Sequence, residues 1–276
     1  MLSVLTGQRW RTYREGVMGA MTSARPLGNL PPDVSRFVGR RQEVPEARRL
    51  LSHNRLLTLT GASGVGKSRL ARKVAAGLRR SIAEEVWLVD LSDVHSGELL
   101  ASTIADTIGL HPVSAKHTVQ ALVDYFANSR AVLLLDNCEH VLSACATLVD
   151  TLLSAASQLR VMVTSRQAMG ITGEQIFVVP SLSMPEPGQP VPEGDLNRFD
   201  AVSLFVRRAS EIRPDFRIDP DNREDVVRLC QRLDGIPLAI ELAAVRLRTR
   251  PVQHILDRLG GYFDLLVGDS GRQAPA

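Results

Sequence analysis

Cysteine, lysine and aromatic side chains are all scarce in this chain, and each shortage removes a class of reading. Three cysteines, Cys138, Cys145 and Cys230, among 276 residues make neither a paired disulfide framework nor a C-x-x-C metal site, so a reducing cytoplasm is the expected location. Aromatics make up 4% of the chain, which advertises no stacking platform for single-stranded nucleic acid. No apolar run approaches the length of a membrane span, and the first 30 residues lack an apolar block ahead of a small-residue cleavage site. Neither a membrane association nor export is expected. Of 33 basic residues only Lys67, Lys73 and Lys116 are lysines; the net charge is +3. The arginine pairs at 40–41, 48–49, 79–80 and 207–208 are scattered, as on solvated helix faces, and direct nucleic-acid binding is not expected.

Apolar residues make up 44% of the chain, ample for a packed core. One stretch organises them. Leu56, Leu57 and Leu59 form a short apolar run that ends in Gly61-Ala62-Ser63-Gly64-Val65-Gly66-Lys67-Ser68, which satisfies the pattern G-x-x-x-x-G-K-[ST] at every fixed position. The three glycines let the backbone curl so that N–H groups point inward, and a helix starting near Gly66 aims its positive end at the same spot. Lys67 adds a compact point charge for the outer phosphates of a nucleotide, and the Ser68 hydroxyl is a ligand for magnesium. A glycine-rich turn ahead of a helix is the alternative, but with three lysines in the chain a chance match arises in roughly one chain in 500.

The rest alternates in type. After an aperiodic segment up to residue 30, Phe37-Val38-Gly39-Arg40-Arg41-Gln42-Glu43 opens an expected helix through Leu51. Leu70, Ala71, Val74, Ala75 and Leu78 recur at helical spacing after the phosphate loop, and Val86 to Val89 reads as a second strand. Helices follow at Leu100 to Ile108, stopped at Gly109, and around Val119 to Phe126. Ala131-Val132-Leu133-Leu134-Leu135-Asp136 is a buried strand ending in a carboxylate, placed where ligands bind in open α/β sheets. Asp136 can hold the magnesium directly or through water, or can cap the helix that follows. Residues 159–164 form a further strand ending at Ser165-Arg166, where Arg166 is either a reporter of a terminal phosphate or a surface charge. Residues 175–179 read as a fifth strand, and five prolines between Pro180 and Pro192 mark an extended linker. Four short amphipathic helices from Phe199 to Leu259 then suggest a small bundle.

Together these residues resemble the nucleotide-binding module of the STAND class of P-loop NTPases, called NB-ARC in apoptotic activators and plant resistance proteins, and most closely its bacterial branch in large transcriptional regulators. The resemblance covers about residues 31 to 265. It rests on Phe37-Val38-Gly39-Arg40 as the entry motif beside the adenine, the phosphate loop from Gly61 to Ser68 with Arg69, Leu135-Asp136-Asn137-Cys138-Glu139-His140 as the Walker B segment, Thr164-Ser165-Arg166 as the sensor, and Gly235-Ile236-Pro237-Leu238-Ala239 as the GxP signature. In the family the proline packs on the base.

The resemblance implies an α/β fold: a five-stranded parallel sheet in the order 5-1-4-3-2 with helices on both faces, followed by a small all-α bundle that lids the nucleotide. It implies ATP or ADP with Mg2+ as ligands, and Lys67, Asp136 and Arg166 as groups acting on phosphate. The expected organisation is a tail to residue 30, a nucleotide-binding domain over 31–180, a linker over 181–197, a helical domain over 198–265 and a C-terminal tail. The resemblance implies an ATP/ADP-operated switch with slow hydrolysis, the alternatives being a nucleotide-holding interaction module without useful turnover or a DNA-binding regulator in its own right, and a switch implies protein partners or self-association. Two departures stand out. Many hydrolytic relatives carry a second acid after the Walker B aspartate, whereas this chain has Asn137, which cannot take a proton from water. Glu139 is then the nearest candidate base, or simply a helix-terminal acid. The winged-helix and sensor regions that follow the bundle in the family are also expected to be missing.

Overall fold

The computed structural model describes residues 28–32, 37–78, 83–112, 114–186 and 193–259. The expected C-terminal tail, most of the N-terminal one and three of the linker prolines, Pro187, Pro190 and Pro192, lie outside them. Strands β1 (Leu56–Thr60), β2 (Glu85–Asp90), β3 (Ala131–Asp136), β4 (Arg160–Thr164) and β5 (Glu174–Val178) form one sheet in the order β2-β3-β4-β1-β5. Every pairing is parallel. This is the expected 5-1-4-3-2 order viewed from the other edge.

Because β1 and β3 are interior strands covered on both faces, all their residues are buried, which accounts for their unbroken apolar runs. One face carries Trp87, Val89, Leu133, Leu135, Val161 and Val163 against helices α3 (Leu100–Thr107), α4 (Ala115–Ala127) and α5 (Leu142–Ala155). The other carries Leu57, Leu59, Val86, Val132, Leu134 and Met162 against α1 (Glu43–His53) and α2 (Lys67–Leu78). Strand alternation sends Asp90, Asp136 and Thr164 to this second face, the one covered by the helix that leaves the phosphate loop. A separate core of Leu204, Phe205, Val226, Leu229, Ile240 and Leu247 holds together α6 (Asp200–Ile212), α7 (Arg223–Arg232), α8 (Pro237–Val245) and helix α9 (252–259). Among the described residues no helix is long and apolar enough to cross a membrane.

Three local expectations change. The first helix opens at Glu43 and not at Phe37, since Gly39 and Arg40 both take left-handed backbone, with φ of 71° and 60°, which no helix accommodates. Residues 28–30 are docked rather than loose. Gly28 bridges Val86 in parallel, and the Asn29 side chain both donates to the Leu88 carbonyl and accepts from its N–H, each at 2.7 Å, covering the open edge of β2. The proline-rich stretch is extended up to Glu186, as proline requires, but it is packed. Leu182 is buried in the helical core and its N–H donates to the Gly235 carbonyl at 3.0 Å, while Glu193–Arg198 forms a 3-10 turn with Leu196 buried.

All three cysteines are buried. Burial pushes the Cys230 thiol up to about 12, and a hydrogen bond with Cys145, followed by burial, pushes Cys138 well above its ordinary range. They are inert core residues.

Because Leu182 is a core residue, Leu182→Ala is expected to lower unfolding free energy by roughly 2–4 kcal/mol in urea titration. A loss under about 0.5 kcal/mol would show the stretch to be an unpacked linker.

Candidate functional site

The site is built where β1 gives way to α2. The chain leaves Thr60 and turns through Gly61, Gly64 and Gly66 with φ of 142°, 76° and 97°, three conformations that side chains with a Cβ rarely adopt. The loop's carbonyls are taken from several directions. Lys67 is buried and folds back, its Nζ donating to Gly61 O at 2.9 Å and Ala62 O at 3.1 Å. The Arg40 guanidinium donates to Val65 O at 2.9 Å. Leu238 N–H donates to Gly64 O at 3.2 Å, and Leu70 N–H closes the first turn of α2 on Gly66 O at 2.9 Å. With its acceptors engaged, the loop offers an incoming group mainly donors, and the first turn of α2 holds no acidic residue to oppose an anion. Ala62 and Ser63 are exposed at the tip, Val65 is the buried anchor, and Ser68 is half-buried as the second residue of α2.

The helical layer sits directly on this loop. Pro237 is the first residue of α8, where its missing N–H costs nothing. A Cβ placed on Gly64 would lie 2.9 Å from Leu238 Cβ, and one on Gly66 3.8 Å from Pro237 Cγ. Beside this contact lies a solvent-open pocket lined by Phe37, Val38, Arg40, Val65, Gly66, Arg69, Leu182, Leu204 and Pro237. Its walls are mostly apolar, as suits a flat heterocycle. Phe37 packs on the sheet's core and Val38 on the helical one.

Gly39 and Arg40 fasten the pocket more than they line it. A Cβ on Gly39 would collide with the Asp200 carboxylate, which accepts the Arg40 N–H at 3.0 Å. Arg40 is buried, and its guanidinium also pairs with Glu43 at 3.0 Å. It therefore joins α1, the loop and α6. Arg69 lines the pocket and pairs at 3.1 Å with Glu241, which also takes Arg208 at 2.9 Å, so that α2, α8 and α6 share one carboxylate.

The opposite end of the site is set by Asp136, which has no exposed surface. A helix cap is ruled out, because α5 opens at Leu142 with Val141 as its N-cap. Thr164 Oγ1 donates to Asp136 Oδ1 at 2.5 Å and accepts the Asn137 N–H at 2.9 Å, while Arg72 donates to Oδ2 at 3.0 Å. Asn137, at φ 63°, turns its amide toward β2, donating to Ser92 Oγ at 2.9 Å and to Asp90 Oδ1 at 3.4 Å. Glu139 Oε1 lies 3.4 Å from Arg166 Nε, and its Oε2 is buried with no hydrogen-bond partner among the described residues.

Electrostatics join these groups to the loop. Burial holds Lys67 below its ordinary range, opposed by the charges of Glu139 and Asp136 and assisted by that of Arg166. Lys67 thus lies within reach of the charges of Asp136, Glu139 and Arg166. Asp90 lies below the ordinary carboxylate range: desolvation works against its charge but is outweighed by hydrogen bonds from Ser92 and Asn137 and by nearby Arg72. Among the described residues no cluster of three or more His, Cys, Asp or Glu could cage a metal. The buried Asp136 carboxylate and the Ser68 hydroxyl are, however, hard oxygen donors of the kind that magnesium takes alongside nucleotide phosphates.

Leu182, Leu204, Asp200, Arg72 and the role of Thr164 escape a reading of the sequence. Asp200 reads as an ordinary first-turn acid, and Arg72 as one arginine among many on a helix.

A family model described as Novel STAND NTPase 1 matches residues 31–171. An uncharacterised protein of Mycobacterium tuberculosis is 39% identical over 235 residues, which is 85% of this chain and 56% of that protein. A protein of the same bacterium, provisionally named an HTH-type transcriptional regulator, is 40% identical over 221 residues, 80% of this chain and 23% of that one. The chain thus spans about half the length of the first relative and under a quarter of the second. Its fold is similar to that of a STAND protein with a tetratricopeptide repeat sensor from Pyrococcus horikoshii, with TM-score 0.50 and 17% identity over 84% of this chain and 33% of that one. It is similar too to the ORC2 protein of Aeropyrum pernix in its ADPNP-ADP complexes, with TM-score 0.51 and 16% identity over 84% and 69% of the two chains.

Thr164→Val keeps the shape of the side chain but leaves Asp136 Oδ1 and the Asn137 N–H unpaired. It is expected to cost about 1–3 kcal/mol by urea denaturation, and unchanged stability would contradict the coupling of the two strand ends.

Proposed function

We propose that the chain, which belongs to the Novel STAND NTPase 1 family, works as an ATP/ADP-operated switch module with slow hydrolysis, NB-ARC-like in plan, within a signalling or transcriptional regulator. The observation that carries the proposal is the loop itself: left-handed glycines, engaged carbonyls and a buried lysine, with the first turn of α8 bonded to the loop at Gly64. In this reading residues 31–180 hold the nucleotide and 198–265 form its lid. Phe37, Val38, Leu182, Leu204 and Pro237 take the base, and the amides from Gly61 to Ser68 take the phosphates. Lys67 moves from the Gly61 and Ala62 carbonyls onto the outer phosphates, and Arg69 closes the pocket toward α8.

Ser68 and Asp136 would hold magnesium, which neutralises phosphate charge when bound. Glu139 is the base that orients or deprotonates water, since its Oε2 is uncommitted whereas the Asn137 amide is engaged at β2. Arg166, half out in solvent at 63% exposure, is free to turn to a terminal phosphate. The switch output goes to protein partners or a second copy of the chain, because opening the lid frees the surfaces now meeting at Gly64 and Leu238. The name carried by the longer mycobacterial relative supports placement in a transcriptional regulator, with DNA contacts made elsewhere in such a protein.

Lys67→Ala is expected to weaken ADP binding at least about 100-fold by calorimetric titration, and Glu139→Gln to keep binding while losing phosphate release by about 100-fold. Equal affinity in the first variant would refute the site. Equal phosphate release in the second would remove Glu139 as the base.

A further inference from the structure

Arg72 lies five residues beyond Lys67 on α2, and its guanidinium meets the carboxyl end of β3. One Nη donates to Asp136 Oδ2 at 3.0 Å, while Thr164 holds Oδ1. The proposed magnesium ligand is therefore already charge-paired within the chain. A buried carboxylate needs a counter-charge, and Arg72 supplies one.

Two features mark this pair as displaceable. It is single-pronged, although arginine holds a carboxylate best with two parallel bonds. Arg72 Nε is buried without a hydrogen-bond partner among the described residues, and the side chain as a whole is 41% exposed, so the contact leaves a donor unused and has room to move. A second acceptor also stands beside the first. Asp90 is paired with Asp136 in the β2–β3 register, projects to the same face of the sheet, and already feels the charge of Arg72.

Resting on the nucleotide reading above, we infer that Arg72 is an electrostatic latch on the metal ligand. It occupies Asp136, yields that carboxylate to an arriving divalent cation, and transfers its own charge toward Asp90. The latch sets the magnesium concentration at which the module responds. It also couples cation binding to a movement of the Arg72 side chain on α2.

The test uses Mn2+ as a paramagnetic probe, titrated with and without ADP and followed by electron paramagnetic resonance, on wild type, Arg72→Gln and Arg72→Lys, and on Asp136→Asn with and without Arg72→Gln. The half-saturating Mn2+ concentration is expected to fall about tenfold in Arg72→Gln and by a smaller factor in Arg72→Lys, whose compact charge makes a weaker pair. In the Asp136→Asn background the Arg72 substitution should make no difference. An unchanged or raised midpoint in both single variants would overturn the latch, as would a shift that persists without the Asp136 carboxylate. Should the Gln variant fail to fold, the Lys variant decides. ADP binding in the presence of EDTA is measured alongside: its absence in wild type would refute the nucleotide site itself, whereas its retention with an unmoved midpoint refutes the latch alone.

Discussion

Peptide groups carry a donor and an acceptor, and a loop that is to receive an anion must dispose of its acceptors first. Around residues 61–66 the disposal is distributed over the molecule. Lys67, at the start of the following helix, takes two carbonyls, Arg40 of the entry segment takes one, and Leu238 of the helical layer takes one. The remaining architecture follows from holding those three donors in place. The sheet fixes where the loop begins, α1 and Glu43 fix Arg40, and the helical core fixes the start of α8.

The same contacts bind the two halves of the molecule. Arg40 to Asp200 and Arg69 to Glu241 cross between the sheet or its approaches and the helical layer, where Glu241 also takes Arg208 and Leu182 bonds to Gly235. All lie around the apolar pocket. Several are polar and partly exposed, worth little individually in water, so the helical layer is seated by many weak ties and one close backbone contact at Gly64. In the proposed switch this is the joint that would open, with each core left intact.

Much of this was legible in residues alone, for identifiable reasons. The phosphate loop, the buried β3 and the helical period of residues 199–259 are local patterns imposed by backbone geometry, and they appear where expected. Strand order has no local signature and came from resemblance. The helix boundary at Glu43 was missed because Arg40 is not a residue associated with left-handed backbone; it is held there by Asp200, 160 positions away. The prolines were a sound signal of extended chain but carried no information on packing, which depends on Leu182 meeting a core assembled from later helices. Arg72 was invisible for the same reason: in an arginine-rich chain nothing distinguishes the arginine that happens to face a buried carboxylate.

The central claim is that the loop and lid together hold an adenine nucleotide. The most direct test is to denature the purified protein, separate the extract by chromatography, and repeat after incubation with ADP and removal of free nucleotide. The account predicts up to one adenine nucleotide per chain, ADP retained through desalting, and its displacement by ATP with magnesium. A protein that neither carries ADP nor retains it after incubation would contradict the account.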